Sequence, residues 1–219
     1  ANVNTPGFRE DLYQSESLYV LDKGVNAQTY SRSQPSAIDF KSGPLMSTNR
    51  DLDMAIRGEG WFVIQNTNEE TAYTRKGDFA VNNAGLLTTG AGQLVMGEGG
   101  AISIPPYESI QMGEDGSITA VPKGGSPTSA TILDRVLLVN PPKDELYKGA
   151  DGLIYSKDAA QVSADPTVRI ATKSLEGSNV NSVDQMVHMI NSSREFETQL
   201  KLISTIDENH QSLAQLLRI

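Results

Sequence analysis

The chain contains no cysteine, so it can form neither a disulfide nor a thiolate metal site, and it offers no cysteine nucleophile. That absence is compatible with an oxidising compartment without requiring one. Histidine is nearly absent too. His188 and His210 are the only two, both in the terminal stretch, and too far apart along a straight helix to share a metal ion. Aromatic residues make up 6% of the chain, with a single tryptophan, and the 18 Lys and Arg are outnumbered by 27 Asp and Glu. A net charge of -9 with no basic cluster excludes a general nucleic-acid surface. No run approaches eighteen apolar residues, so direct membrane insertion by a helix is excluded. No Gly-x-Ser-x-Gly elbow occurs, and Gly97-Glu98-Gly99-Gly100 lacks the lysine and strand-to-helix switch of a phosphate loop and reads as a turn. No cofactor and no metal ion are expected, and no catalytic residue stands out.

What is present is a chain of 219 residues, long enough for a sizeable core. Residues 1–8 hold the Asn, Pro and Gly that close a helix: Pro6 cannot continue one and biases Thr5 away from it. They read as the end of an N-terminal helical segment whose beginning lies outside the sequence. Residues 9–44 are polar, with a possible short strand at Leu18–Leu21, and read as an extended connector. Residues 45–177 are strand country. Leu52, Met54 and Ile56 alternate with charged residues as in a half-buried strand, and Trp61-Phe62-Val63-Ile64 is a short apolar run suited to a sheet interior. Asn82-Asn83-Ala84-Gly85 and Asp115-Gly116 mark hairpin turns, Pro105-Pro106 stops pairing, and Ile132–Val139 returns to the core. Many short strands between Gly and Pro predict a mainly β body, an irregular sheet or barrel-like domain.

Residues 178–219 end in one long amphipathic helix from Ser182. Met189, Phe196, Ile203 and Leu217 recur at multiples of seven, with His210 in the same row. Met186 and Leu200 lie three residues earlier in their heptads, while Val183, Ile190, Ile206 and Leu213 widen the stripe beyond a two-stranded seam. Ser182 with Gln185 has the form of a capping box. No other segment is left to cover this face, so these residues are the candidate assembly interface. The fold expected is a β body inserted between terminal helical segments, the C-terminal helix pairing with an N-terminal one in a coiled-coil-like tube.

The acidic groups carry a rival reading. Asp51 and Asp53 on one strand face would resemble the paired carboxylates of a secreted glycan hydrolase, although alternating charges on a wet sheet face are the plainer account. Glu114-Asp115-Gly116 lacks the ligand alternation of a Ca²⁺ loop and reads as a hairpin. Trp61 reads as a core aromatic.

Four stretches resemble the axial proteins of the bacterial flagellum, the rod and hook family. Asn4-Thr5-Pro6-Gly7-Phe8 is similar to the segment that closes that family's N-terminal helix. Leu52-Asp53-Met54-Ala55-Ile56-Arg57-Gly58-Glu59-Gly60-Trp61-Phe62 resembles its strand-turn-strand, and Tyr73-Thr74-Arg75 continues the pattern. Leu175-Glu176-Gly177-Ser178-Asn179-Val180-Asn181 is similar to the signature before the C-terminal helix. Arg194-Glu195-Phe196-Glu197 and Leu200–Ile203 look like the proximal-rod branch, since distal rod members carry a Gln-Arg-Ala-Tyr-Glu-like stretch there. Trp61 departs from the commoner Phe, and the N-terminal helix is missing. The resemblance implies a structural, non-enzymatic subunit of the periplasmic basal-body rod, exported through the flagellar type III apparatus without a cleaved signal peptide. Its implied partners are copies of itself, other proximal and distal rod proteins, the export apparatus and the surrounding basal-body rings. A distal rod or hook position is the alternative within the family.

Overall fold

A computed structural model describes residues 2–20, 28–125, 129–157 and 163–216, with side chains for all of these except residues 13–20, 28–37, 207 and 210–216. The chain divides into two compact units, Ala1–Asn179 and Val180–Ile219. The first is mainly β-sheet and the second is one α-helix.

In the first unit, β1 (Asp11–Val20) and β2 (Gln28–Ile38) pair as an antiparallel ladder with an irregularity at Leu12/Tyr13. The span read as an extended connector therefore holds a hairpin. Backbone pairing along ten or more residues supplies its order, a signal that an apolar-periodicity reading does not contain. Then come β3 (Leu45–Ser47), β4 (Met54–Arg57), β5 (Trp61–Gln65), β6 (Thr71–Thr74), β7 (Phe79–Val81), β8 (Leu87–Thr89), β9 (Leu94–Gly97) and β10 (Gly100–Ala101). A three-stranded meander follows, β11 (Tyr107–Met112), β12 (Ser117–Pro122) and β13 (Thr131–Arg135). The unit closes with β14 (Leu138–Val139), β15 (Leu146–Lys148), β16 (Ile154–Ser156), β17 (Arg169–Thr172) and β18 (Ser174–Glu176).

The largest sheet runs β15-β16-β6-β5-β9-β8-β7, with β10 added on β9 and β14 on β5. Its centre is β5, and the two-residue period of a strand sends its side chains into two cores. Phe62 and Ile64 enter the main one with Phe79, Leu87, Val95, Ile118 and Ile170. Trp61 and Val63 enter a second with Tyr73, Val139, Leu146 and Ile154. That is why the sequence shows an unbroken apolar run here and no alternation. Phe62 meets Phe79 edge-on, with ring centroids 5.1 Å apart, and Phe40 meets Trp61 in the same way at 6.1 Å.

The opening and closing strands of the body pair with each other, β4 with β17 and β3 with β18. Residues 45–57 and 169–176 are thereby adjacent although more than a hundred positions apart in sequence. The alternation read from Leu52 to Arg57 does not describe a half-buried strand: Met54, Ala55 and Ile56 are all buried, and Asp51 and Leu52 lie in a turn before β4. Gly77 permits this, since a Cβ there would lie 1.6 Å from the Met54 carbonyl oxygen. Both hairpin turns occur where the sequence places them. Asn82 Oδ1 accepts the Ala84 and Leu86 N–H groups, and Asp115 Oδ1 accepts the Ser117 N–H and hydroxyl. Ile132 is a correction. It is 68% exposed on the edge strand β13, while Leu133 packs partly on the core and Val136 is the first buried residue of the stretch.

The second unit is α1 (Ser182–Leu216). Its cap is Asn181, not Ser182. The Asn181 side-chain oxygen accepts the Val183 N–H at 3.0 Å, and its carbonyl accepts the first helical bond from Gln185.

Apolar residues at buried and exposed positions should respond differently. Phe62→Ala is expected to lower unfolding free energy by about 3–5 kcal/mol, and Ile132→Ala by less than about 1 kcal/mol. Urea unfolding of the full chain measures both, and similar losses would contradict the placement of the core.

Candidate assembly site

The family-like stretches, scattered through the sequence, converge on one buried carboxylate. Glu176, at the end of β18, is fully buried. Its Oε1 accepts from Arg9 Nη2 at 2.6 Å and from the Gly43 N–H at 2.9 Å, and its Oε2 accepts from Arg75 Nη1 at 3.0 Å. The backbone joins in, since the Glu176 carbonyl accepts the Gly7 N–H at 2.7 Å. Arg75 Nη2 then donates to the Gly58 carbonyl at 2.6 Å, and its guanidinium lies over the Trp61 ring, 5.3 Å from the centroid. Burial pulls Arg75 below its ordinary value, and the Glu176 carboxylate opposes that shift. Gly7 is required at its position. Its φ is +66°, and a Cβ would meet the Arg75 backbone carbon at 2.4 Å.

Asn179 laces the same region from the side. Its Oδ1 accepts the Glu10 N–H, its Nδ2 donates to the carbonyls of Asp39 and Lys41, and its own N–H donates to the Phe8 carbonyl. Lys148 fastens the base of β1, with Nζ donating to the Arg9 carbonyl and the Asp11 carboxylate and lying 4.3 Å from the Phe8 ring centroid.

The motif residues thus have separate structural duties. Asn4, Thr5 and Pro6 form turns that deliver Gly7 and Phe8, with the Thr5 hydroxyl bonded to Asn2 Oδ1. Leu52 packs on the main core and Tyr73 is buried in the second, where burial raises its hydroxyl. Gly58 and Gly60 carry positive φ in the β4–β5 turn, and Thr74 is buried with its hydroxyl accepting the Lys76 N–H. Leu175 is half-buried and Ser178 buried, while Val180 and Asn181 lead into α1. Arg9, Gly43 and Lys148 were not singled out in the sequence. No local spacing links Arg9 to a carboxylate 167 positions away.

On α1 the candidate interface residues Val183, Met186, Met189, Ile190, Phe196, Leu200, Ile203 and Ile206 are 50–72% exposed. Val187 and Leu202, which the stripe omitted, are equally open. At about 100° per residue Leu202 stands well off the Met189–Phe196–Ile203 row, so the apolar surface spreads round much of the helix. The side chains of His210 and Leu213, and the whole of Leu217, lie outside the described residues. Large apolar side chains on one continuous element make a surface for packing against other helices.

The paired-carboxylate reading of Asp51 and Asp53 is not supported. Asp51 is exposed and pairs with Lys173 at 2.9 Å, whereas Asp53 is buried. They do not line a common cleft. Among the described residues no three His, Cys, Asp or Glu gather in a metal-holding group, and no helix is long and apolar enough to cross a membrane.

Removing the Glu176 charge would leave two buried guanidiniums uncompensated. Glu176→Gln is expected to cost about 3–5 kcal/mol in urea unfolding. A loss below about 1 kcal/mol would show that the clasp does not hold the two ends of the first unit together.

Comparison with known proteins gives the lineage. Residues 55–120 match the model of the flagellar hook protein FlgE/F/G D1 domain, and residues 171–216 match the flagellar basal body rod FlgEFG protein C-terminal model. The flagellar basal-body rod protein FlgF of Salmonella typhimurium is 36% identical over 223 residues, covering 99% of this chain and 88% of that protein. FlgF of Escherichia coli is 35% identical over the same shares, and FlgG of Bacillus subtilis is 31% identical over 100% of this chain and 90% of its own length. The two family models fall on the strands around β5 and on the β17–α1 segment, which the Arg75–Glu176 pair joins, and the chain belongs to the FlgE/F/G family of flagellar axial proteins, as a basal-body rod protein most like FlgF.

Proposed function

We propose that this chain is a non-enzymatic subunit of the proximal part of the flagellar rod, assembling with copies of itself and with other rod and hook axial proteins into the shaft that carries motor torque. The observation that carries this reading is α1, whose described apolar side chains stand open along more than six turns. Such a surface is costly in water and is satisfied when several helices pack side by side. Residues 1–8 and 178–219 then form the axial core, with an N-terminal helix as the first partner of α1. Residues 9–44 and 45–177 form the body carried on that core. Heterologous contacts that do not close on themselves build a helical shaft in place of a ring. In this reading the subunit passes through the flagellar export apparatus without a cleaved signal peptide and works in the periplasm, with the basal-body rings around it.

The alternative within the family is a distal rod or hook position, and the lower identity to FlgG of Bacillus subtilis, 31% against 36% for FlgF of Salmonella typhimurium, speaks against it. Locating the subunit in isolated basal bodies with a tag inserted at the Lys123–Gly124 turn separates the two.

Phe196→Glu and Ile203→Asp place charges on the packing face and touch no core. Swimming should be lost while the melting temperature of the isolated chain shifts by less than about 2 °C. Truncation after Asn181 should leave a folded β unit that no longer enters rods. Rods that incorporate the truncated chain would refute the helix-driven mechanism.

A further inference from the structure

A carboxylate pair does exist, and its members are Asp53 and Asp78. These residues face each other across an isolated antiparallel bridge. The Met54 N–H donates to the Gly77 carbonyl beside it, which makes this the non-hydrogen-bonded kind of pair, with Cβ atoms about 4.5–5.5 Å apart. The Asp53 side chain is 1% exposed, and neither of its carboxylate oxygens accepts a hydrogen bond. Asp78 Oδ1 is buried and likewise accepts none. Buried carboxylates without donors are strongly disfavoured, and like charges directly opposite on a ladder add to the cost.

Arg50 supplies only part of the counter-charge. Its Nη1 lies 3.4 Å from Asp53 Oδ1, its Nη2 donates to the Phe79 carbonyl, and its side chain is 59% exposed. Two carboxylates and one guanidinium leave a negative charge. Gly90 packs directly against Asp78, since a Cβ there would lie 2.3 Å from Asp78 Oδ2, so only glycine leaves that oxygen free to take a ligand. Asp78 is only partly buried, which leaves a route from solvent.

We propose that Asp53 and Asp78 together bind a hard divalent cation of the calcium class, with water and backbone carbonyls completing its shell. Calcium takes six to eight oxygen ligands in flexible geometry, whereas magnesium demands a near-ideal octahedron and gives up water reluctantly. Two carboxylates place the affinity at the weak end, with Kd about 0.1–1 mM.

Titrating CaCl2, and separately MgCl2, into the chelator-stripped full chain at fixed ionic strength tests this by calorimetry and thermal unfolding. One calcium ion per chain is expected, with a rise in melting temperature of about 3–6 °C at about 10 mM. Asp53→Asn and Asp78→Asn should each weaken binding about tenfold or more. Arg50→Ala removes the competing counter-charge; thermal unfolding without calcium checks that it folds, and it should tighten binding at least about threefold. The proposal is overturned if the unaltered chain shows no saturable calcium binding, if both aspartate variants bind as it does, or if Arg50→Ala binds no more tightly.

Discussion

A carboxylate buried between two guanidiniums is costly to desolvate and strongly destabilising to break, and that asymmetry gives Glu176 its role. Arg9 comes from the start of the chain, Arg75 from the middle and Glu176 from the last strand before the helix. None of the three can be buried without the others. The backbone bonds of Gly7 and Gly43 to the same residue make the meeting point directional as well as charged. The residues that lead into the N-terminal turn and those that lead into α1 are thereby held together at one place on the β unit. If, as proposed, the two ends of the subunit belong to one helical core, a fixed common exit is the structural requirement, and the clasp supplies it.

The apolar helix and the charged clasp answer different demands. The clasp stabilises one conformation of a single chain, with its charges sealed from water. In the proposed assembly the open side chains of α1 lower the free energy by packing among several helices. The core of the β unit and the proposed assembly surface lie on separate compact units, so charging the face of α1 leaves that core intact.

Much of this was legible in the sequence because it rests on short-range rules. The turn at Asn82–Gly85 needs only a side chain that bonds its own backbone, and the Trp61–Ile64 run needs only a strand covered on both faces. The row Met189–Phe196–Ile203 needs only the period of a helix. What escaped depends on pairing across long separations. The Arg9–Glu176 bond spans 167 positions. Asp53 was matched with Asp51 by strand spacing, yet its neighbour is Asp78 across a bridge. The cap fell on Asn181 because Ser182, equally good as a cap by type, already lies inside the helix.

The absence of cysteine makes the central claim directly testable. Phe196→Cys gives the chain a single thiol on the open face of α1, and maleimide labelling can be compared between the free chain and isolated basal bodies. Burial of α1 among neighbouring helices predicts rapid labelling of the free chain and protection in the assembled rod. Equal labelling in both would contradict it.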